Sequence, residues 1–361
     1  MAKVFTALGL MSGTSLDGVD VAVIQTDGED IFGFGPAMTI PYSSQQKSIL
    51  EDATQSALSW NFEGPAPNSL AMAESVLDSA HAEAMRSLKS ASIDIVGYHG
   101  QTVLHRPDQK KTLQLGRGHG LTEEHNCPVV FDFRSEDVAA GGQGAPLAPI
   151  YHKALVRYSQ LPGVTAVLNL GGVGNVSIVT NTELLATDTG PANGPLDSFL
   201  ESHGHSVDLE GALSREGQVN FSKITQWLEA PFFKRVWPKS ADRYDFDVLS
   251  DLAGLSVSDG AATLCAFAAQ SAAKTIRTMG YSPDRVVVCG GGRKNRTIMT
   301  MLSLELGCPV EPAETHGWDS DAIEAQAFAY LAVRVMQGLP NSFPTTTGVK
   351  EPVVGGQIAY P

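Results

Sequence analysis

The stretch LGLMSGTSLDGVD, residues 8–20, decides the fold that the sequence predicts. An apolar run, Val4 to Leu10, leads into it, and Val19, Val21 and Val23 alternate with other residues after its polar centre. This pattern predicts two strands joined by a turn. The turn holds glycines, hydroxyls and a carboxylate, which together suit phosphate oxygens and a divalent cation. An ordinary hairpin with a polar turn fits the same residues equally well.

A second stretch repeats this arrangement. Val164 to Leu170 is apolar, the turn GGVGN covers residues 171–175, and Val176 to Val179 is apolar again. The two stretches share few identical residues, but both have the order strand, glycine turn, strand, which indicates an internal repeat. Two related halves that each open with a phosphate-type turn predict a nucleotide held between two related domains.

Length and composition are those of a globular protein with two domains, because the chain has 361 residues and only 18% of them are charged. The formal net charge of −14 argues against nucleic acid or an anionic membrane as the main partner. No CxxC pair occurs, so we expect reduced core thiols. The start of the chain does not resemble a signal peptide, and no apolar run reaches membrane-spanning length. We therefore expect a cytoplasmic protein.

Hydrophobic periodicity predicts helices and buried strands along the rest of the chain. Buried strands are predicted at Ile93–Gly97, from Val129 and at Val286–Cys289. Asp321 and Glu324 have the spacing of a capping box at the start of the last helix. The predicted helices cover residues 45–60, 69–90, 259–279, 295–307 and 321–338.

Polar residues follow two of these strands. His99, Gln101 and His105 come after the strand that ends at Gly97, and Arg134 comes after the strand that begins at Val129. Open α/β sheets bind their ligands at the carboxyl ends of strands. The two histidines lack a third ligand at useful spacing, so a structural role or a substrate contact is favoured over a metal site.

A glycine-rich connector, AAGGQGAPL, covers residues 139–147. This composition is typical of a link between structural units. We therefore predict a first domain of residues 1–138 and a second of residues 139–339, with the C-terminal segment 340–361 packed on the first. The connector is interpreted either as a plain flexible link or as a hinge beside a cleft.

Asp188 opens the segment DTGPAN, residues 188–193, which precedes a predicted helix. Asn193 is the expected N-cap, and Pro195 suits the first helical turn. A carboxylate in a loop ahead of a helix is a candidate catalytic base, although a turn-capping aspartate is equally compatible. Further along the chain, a GxGxxG fingerprint starting at Gly290 would have Asn295 at its sixth position, so a dinucleotide motif is not met.

Taken together, these motifs resemble those of the anhydro-N-acetylmuramic acid kinases, within the superfamily of sugar kinases, actin and Hsp70-type ATPases. Ala192 stands where that family's pattern is expected to have glycine, which matters only if the position needs a positive φ. The motifs that carry the resemblance run nearly from end to end of the chain: GLMSGTSLDGVD (9–20), GYHGQTVLHRP (97–107), DFRSEDVAAGGQGAPLAP (132–149), NLGGVGNVS (169–177), DTGPAN (188–193), VVVCGGGRKN (286–295) and FPTTTGVKEPVVGG (343–356).

The resemblance implies an α/β fold of two ribonuclease-H-like (actin-like ATPase) domains with a nucleotide cleft between them. It implies that MgATP phosphorylates O6 of 1,6-anhydro-N-acetylmuramic acid while water opens the anhydro ring at C1. The product would be N-acetylmuramic acid 6-phosphate, an intermediate of cell-wall (peptidoglycan) recycling.

The resemblance also implies roles for individual residues. Asp188 would be the catalytic base and Asp17 the metal ligand. On the substrate side, Arg134 would pair with the lactyl carboxylate, and His99, Gln101 and Glu324 are further candidates. The implied ATP-binding residues are Gly13, Thr14, Ser15, Leu16, Asp17, Gly18, Val19, Asp20, Gly171, Gly172, Asn175, Gly290, Gly291 and Gly292.

Two other functions are compatible with the sequence. One is a kinase for another anhydrosugar or an ordinary sugar hydroxyl on the same scaffold, which substrates with and without the lactyl group would distinguish. The other is an ATP-gated binding protein, for whose partner-binding domain 361 residues leave little room. The sequence leaves a homodimer open as the assembly.

Overall fold

A computed structural model describes residues 3–88, 92–241 and 246–361. The strands in chain order are β1 (Phe5–Ser12), β2 (Gly18–Thr26), β3 (Ile31–Pro41), β4 (Ile95–Tyr98), β5 (Gln101–Arg106), β6 (Lys111–Leu115), β7 (Val129–Phe131), β8 (Thr165–Leu170), β9 (Val173–Val179), β10 (Leu184–Pro191), β11 (Arg285–Cys289), β12 (Val310–Pro312) and β13 (Gln357–Ala359). The α-helices are α1 (Ser44–Trp60), α2 (Ser69–Ser87), α3 (Thr122–His125), α4 (Ser135–Ala139), α5 (Pro149–Tyr158), α6 (Asn193–Ser202), α7 (Ala212–Glu216), α8 (Phe221–Trp227), α9 (Pro231–Lys234), α10 (Val257–Thr278), α11 (Arg296–Leu306) and α12 (Ile323–Met336).

The chain folds as two compact units with the same sheet topology. The first unit runs to Tyr158 and takes up the chain again from Asp321, and the second is Ser159–Ser320. Their main sheets have the strand orders β13-β7-β4-β1-β2-β3 and β10-β9-β8-β11-β12. In each, three antiparallel strands are followed, on the other side of the first strand, by two parallel ones. This is the ribonuclease-H-like topology, and both predicted hairpins are confirmed.

In the first unit, α12 lies directly on the central strands. A Cβ added at Gly9 of β1 would lie 1.8 Å from the carbonyl oxygen of Ala325, and one at Gly97 of β4 would lie 2.0 Å from that of Phe328. Glycine at these two positions therefore lets the helix backbone approach the sheet. Near its other end, α12 approaches the turn at Gly28, which follows β2. The start of α12 is thus close to the carboxyl ends of β1 and β4.

In the second unit, α10 supplies much of the core. Its N-cap, Ser256, accepts a hydrogen bond from the backbone N–H of Asp259, and the buried face packs against the aromatic side chains of Phe199, Trp227 and Phe233. Three short helices, α7, α8 and α9, contribute side chains to this core. The aromatic-rich segment 210–250 is therefore at least partly structural in its described residues.

Most predicted helices are confirmed within a few residues. The side chain of Asn295 caps α11 by accepting from the N–H groups of Thr297 and Ile298, and Gly307 ends that helix in the left-handed conformation. The predicted end of α2, at Ser90, lies outside the described residues. The capping box predicted for the last helix is wrong, because α12 begins at Ile323 and its N-cap, Ala322, has no side-chain acceptor.

The division between the units differs from the predicted boundary at residues 138 and 139. Residues 139–158 belong to the first unit, since Tyr151 of α5 donates to Gln326 Oε1 of α12 over 2.8 Å and its ring packs against Tyr330. Tyr158 likewise packs edge-on against Phe34. The glycine-rich connector is therefore a loop inside the first unit. Its composition suggested a boundary, but α5, which follows it, packs on the first unit.

Among the described residues, no helix is both long and apolar enough to cross a membrane. Within the described residues no disulfide joins any of the four cysteines: Cys127, Cys265 and Cys289 are buried, and Cys308 is half-buried.

Candidate active site

The turn between β1 and β2 has exposed polar side chains and one buried apolar side chain. The N–H of Leu16 donates to Gly13 O over 3.2 Å, and Leu16 takes a left-handed φ of 55°. The side chains of Thr14, Ser15 and Asp17 are exposed, whereas that of Leu16 is buried. Thr14, Ser15 and Asp17 can therefore contact a ligand through their side chains, while Gly13 and Leu16 can do so only through the backbone.

Gly18, Val19 and Asp20 begin β2, and they differ in what they can offer a ligand. Gly18 and Val19 are buried, Val19 completely, so the Val19 side chain belongs to the core. Asp20 accepts a hydrogen bond from Thr39 Oγ1 over 2.5 Å. Of the three side chains, only that of Asp20 is suited to a cation.

Three carboxylates of the first unit influence one another. Burial raises the pKa of Asp20, and the negative charges of Asp321 and Asp17 raise it further. Such a group is stabilised in its ionised form by a nearby cation, and oxygen donors are those that Mg²⁺ prefers. The residues described by the structure contain no group of three or more side chains that could hold a metal by themselves. A magnesium ion here would therefore take its remaining ligands from phosphate oxygens and water, which is usual for Mg²⁺.

Gln101, predicted to contact substrate, is buried against the same turn. Its side-chain amide lies 2.6 Å from Ser12 Oγ, which also lies 2.8 Å from Tyr42 Oη. With its nitrogen facing the turn, the amide also donates to the carbonyl oxygens of Ser12 and Gly13, each at 3.3 Å. Gln101 therefore links the start of β5 to the turn and supports its shape.

His99 and Arg134 form a pair at the carboxyl ends of β4 and β7. His99 Nδ1 lies 2.8 Å from the carbonyl oxygen of Gly100, so Nδ1 carries the proton and Nε2 is left as an acceptor. Arg134 Nε donates to His99 Nε2 over 3.2 Å, and Arg134 Nη2 lies 3.0 Å from the same atom. Burial and the Arg134 charge hold the pKa of His99 well below its usual range. A neutral His99 thus orients the guanidinium.

The predicted hinge lies beside this pair and is bound into the first unit. Arg134 Nη1 donates to Gly144 O over 2.6 Å, and the N–H of Gln143 donates to Thr347 O over 2.7 Å. His105 Nε2 lies 2.8 Å from Gln143 O, and its Nδ1 lies 2.9 Å from Thr112 Oγ1. Both ring nitrogens of His105 are used inside the unit, which favours the structural role for this histidine.

Glu324 lies in the first turn of α12 and is exposed. Four residues further along the same helix, the ring of Phe328 packs on His99 with a centroid separation of 4.5 Å. Residues four apart share one face of a helix. Glu324 is therefore on the side of α12 that faces the His99–Arg134 pair, which is compatible with its predicted role.

In the second unit, the turn after β8 and the segment before α6 form one structure. Gly171 O accepts the N–H of Asn193 over 2.9 Å, and Gly172 O accepts those of Ala192 and Gly194 over 3.2 and 3.1 Å. The φ of Ala192 is −121°, so the position does not require glycine. Ala192, and not Asn193 as predicted, is the N-cap, because the Asn193 side chain donates to Leu170 O instead.

The glycines after β11 converge on the same place. Gly290 has a φ of 75°, and a Cβ there would lie 2.3 Å from Asn169 Oδ1 at the end of β8. A Cβ at Gly291 would lie 3.3 Å from Asn193 Nδ2. Asn175 of β9 is the register partner of Asn169. The fold thus brings the predicted residues Gly171, Gly172, Asn175, Gly290, Gly291 and Gly292 together at the carboxyl ends of β8 and β11.

Asp188 lies on β10 at a bulge, and not in a loop as predicted. Its carboxylate is mostly buried, and Oδ2 accepts the N–H of Ala241 over 2.9 Å. The N–H of Asp188 donates to Lys239 O over 3.0 Å, and the neighbouring Thr187 Oγ1 donates to the same oxygen over 3.1 Å. Residues 239–241 therefore fix both the backbone and the carboxylate of Asp188. Its register partner on β9 is Asn175, next to the glycine turns.

Lys239 is a residue that the sequence reasoning missed. Its Nζ donates to Phe232 O over 3.0 Å and lies 4.1 Å from the centre of the Phe232 ring. The pKa of Lys239 is lowered to about 8. Burial is the main cause, the charges of Arg235 and Lys274 lower the pKa further, and the charge of Asp188 partly opposes them. The signal available in the sequence was a single lysine within an aromatic-rich segment, which does not reveal proximity to Asp188.

Both units therefore place polar turns at the carboxyl ends of their parallel strands, and the second adds a buried carboxylate. Fold and turns together define an α/β phosphotransferase of the ribonuclease-H-like, actin-like ATPase class. The chain belongs to the anhydro-N-acetylmuramic acid kinase family, whose model matches residues 5–361.

Relatives of this family match over nearly the full length. The chain is 48% identical to the anhydro-N-acetylmuramic acid kinase of Rhizobium rhizogenes, with 98% of each chain covered. It is 46% identical to that of Azorhizobium caulinodans (98% and 99% covered) and 47% identical to that of Rhodopseudomonas palustris (99% of each). Among solved structures, the activator of 2-hydroxyisocaproyl-CoA dehydratase from Clostridium difficile aligns at 16% identity and a TM-score of 0.44, covering 92% of this chain and 97% of that one. That alignment adds nothing to the topology described above.

Proposed function

We propose that this protein uses ATP to phosphorylate O6 of 1,6-anhydro-N-acetylmuramic acid and opens the anhydro ring with water. The product is N-acetylmuramic acid 6-phosphate, and the reaction serves cell-wall recycling in the cytoplasm. Family membership over residues 5–361 supports the substrate and the reaction. The observation that carries the proposal is Asp188, a mostly buried carboxylate held next to the glycine turns of the second unit.

Each unit carries a set of turns suited to part of the nucleotide. In the first unit, the backbone at Gly13 and Leu16 and the side chains of Thr14 and Ser15 bind phosphate oxygens. In the second unit, Gly171, Gly172 and Asn175 form the other phosphate turn, and Gly290, Gly291 and Gly292 face the adenosine. Phosphoryl transfer asks a protein mainly for positioning and charge neutralisation, which backbone N–H groups in turns can provide.

Asp17, through its exposed carboxylate, and Asp20, at the edge of the turn, would hold a magnesium ion. Burial, together with the charges of Asp321 and Asp17, raises the pKa of Asp20, and a cation nearby would favour its ionised form. Held there, a magnesium ion would supply neutralisation of the charge on the nucleotide's phosphates.

The acidic sugar is bound by Arg134, with Glu324 contributing nearby. The guanidinium pairs with the lactyl carboxylate, a charge-assisted contact that is stronger than a neutral hydrogen bond. His99 and Gln101 have indirect roles: His99 orients Arg134, and Gln101 supports the turn between β1 and β2. Sugars without a carboxylate lose the pairing with Arg134.

Asp188 is the general base for the water. The water oxygen attacks C1, its proton passes to the Asp188 carboxylate, and the bond between C1 and O6 breaks. O6 keeps the electron pair of that bond and accepts the γ-phosphoryl group, so ADP leaves and no separate acid is needed. The hydrogen bond from Ala241 orients the carboxylate, and the positive charge of Lys239 interacts favourably with it.

A panel of anhydrosugars in a coupled ADP-release assay tests the substrate, and ¹⁸O-labelled water tests the mechanism. We expect the largest kcat/KM for the sugar that carries the lactyl carboxylate and expect the label at C1 of the product. Highest activity on a neutral anhydrosugar or an ordinary hexose contradicts the substrate. Label in the phosphate contradicts the route through C1.

A further inference from the structure

A buried carboxylate of the first unit holds the glycine-rich loop 141–145. Asp137 of α4 is completely buried. Its Oδ1 accepts the N–H of Gly144 over 2.6 Å, and its Oδ2 accepts the hydroxyl of Thr347 over 2.5 Å. A buried carboxylate is costly unless hydrogen bonds compensate it, so each of these two donors matters to the arrangement.

The C-terminal segment reaches the loop through the same threonine. Thr347 is completely buried, and its carbonyl oxygen accepts the N–H of Gln143 over 2.7 Å. Two hydrogen bonds thus connect residue 347 to this part of the first unit, one to the loop backbone and one to Asp137. The loop is therefore clamped at Gln143 and at Gly144 by groups distant in sequence.

The clamped loop supplies one of the acceptors that orient Arg134. Gly144 donates its N–H to Asp137 and uses its carbonyl oxygen to accept from Arg134 Nη1 over 2.6 Å. On its other side, the guanidinium contacts His99 Nε2. The direction of the Gly144 peptide groups, set by Asp137 and Thr347, thus helps to set the direction of the Arg134 fork.

We infer that Asp137 and Thr347 are positioning residues that set the preference for an acidic sugar by fixing loop 141–145 and, through Gly144, the guanidinium of Arg134. This inference rests on the proposed function, because it takes Arg134 as the group that pairs with the lactyl carboxylate. Thr347, which belongs to the C-terminal motif FPTTTGVKEPVVGG, then acts on specificity although its side chain is completely buried. Small displacements of a positioning group have large effects on a bidentate contact, which depends on direction as well as distance.

Thr347→Val tests the inference because it removes the hydroxyl and keeps the side-chain volume. We expect KM for the lactyl-bearing anhydrosugar to rise about ten-fold, and KM for the same sugar without the lactyl group to change less than about two-fold. Thr347→Ser keeps the hydroxyl and should restore the wild-type KM. Hydrogen exchange in the peptide covering residues 141–145 should become faster in Thr347→Val, since Gly144 is no longer held by a fixed carboxylate.

Thr346→Val is the matched control. Thr346 is equally buried, but its hydroxyl bonds only to the backbone of Phe343 among the contacts described. It should alter neither the ratio of the two KM values nor exchange in the loop. If Thr347→Val does not fold, Asp137→Asn is used, with the same selective rise in KM expected.

The outcomes separate the inference from the proposed function. A wild-type enzyme that does not prefer the lactyl-bearing sugar contradicts the proposed function. A wild-type enzyme with that preference, combined with a folded Thr347→Val variant whose two KM values rise equally or stay unchanged, contradicts only the positioning role. Equal effects of Thr346→Val and Thr347→Val also contradict it, because they indicate a general loss of packing.

Discussion

The two units share the order of five strands but carry opposite charges on different strands of that order. At the carboxyl ends of β4 and β7, the first unit has a neutral histidine and an arginine, His99 and Arg134, held by a clamped loop. On β10, at the far side of β9 from β8, the second unit has Asp188, whose N–H bonds to the backbone of Lys239. The shared topology puts polar groups at the same edge of each sheet, and local sequence decides which chemistry is available there.

The difference has a physical origin in how each charge is supported. Arg134 is oriented by two acceptors, a ring nitrogen and a carbonyl oxygen, and both bonds depend on neighbouring loops. Asp188 is held by its place in a strand and by residues 239–241, where the N–H of Ala241 donates to its carboxylate and Lys239 O accepts from its N–H. We therefore expect changes at Asp188 to affect the rate of reaction, and changes at Arg134 to affect which sugar is accepted.

The largest effect is expected for Asp188→Asn. The substitution keeps the shape of the side chain and removes its basicity, and loss of a general base typically lowers rates by ~10²–10⁴-fold. We expect kcat to fall by about that factor while ATP still binds, as measured by steady-state kinetics and calorimetry. Asp52→Asn, an exposed carboxylate on α1, is the control. A near-normal kcat for Asp188→Asn would remove this residue from its catalytic role.

Arg134→Ala should act on selection of the sugar. A charge-assisted hydrogen bond is typically worth ~1.5–3 kcal/mol, so KM for the lactyl-bearing sugar should rise roughly ten- to a hundred-fold. KM for the sugar without the lactyl group should change far less. Arg86→Ala, at an exposed ion pair with Glu124, is the control. An equal rise in KM for both sugars would contradict the role of Arg134 in selecting the acidic sugar.

Lys239→Met should lower kcat about ten-fold. The substitution removes the positive charge near Asp188 and displaces the segment that positions the Asp188 carboxylate. Lys239 should also make the free energy of unfolding of the wild type increase as pH rises. The pKa of Lys239 is lowered to about 8 in the folded protein, below the value of about 10.4 in an unfolded chain. Between these values the unfolded chain binds more protons, so the free energy of unfolding rises with pH.

Chemical denaturation at pH 7.5 and pH 10 measures this effect. The wild type should gain stability relative to Lys239→Met over that interval, and Lys234→Met, at an exposed position of the same segment, should behave as the wild type does. A constant difference between wild type and Lys239→Met across the interval would show that the folded protein does not depress this pKa.

Ala192→Gly should have the smallest effect. The φ of −121° is accessible to any residue, so glycine relieves no strain and adds only freedom to the unfolded chain. We expect a loss of stability of about 0.5–1 kcal/mol in denaturant titration and a kcat within about two-fold of the wild type. A marked gain in kcat would mean that the added methyl group disturbs the segment that packs on Gly171 and Gly172.

Several parts of the fold and site were predictable because their signals are local. The two hairpins follow from apolar runs around glycine turns, and α11 follows from Asn295 and Gly307 at its ends. The glycines after β11 and the motif around Asp188 were recognisable as candidate site residues. The start of α12 was predicted wrongly, because a spacing that fits a capping box does not determine which residue begins the helix.

The sequence by itself determined the repeat of strand, glycine turn and strand, the family, and the residue types available for chemistry, because neighbouring residues carry that information. Tertiary structure alone decided that loop 141–145 is clamped inside the first unit, that His99 orients Arg134, and that Lys239 lies beside Asp188. Each of these contacts joins residues at least several positions apart, and two join residues separated by tens of positions. Burial and hydrogen-bond geometry at that range arise only when the chain has folded.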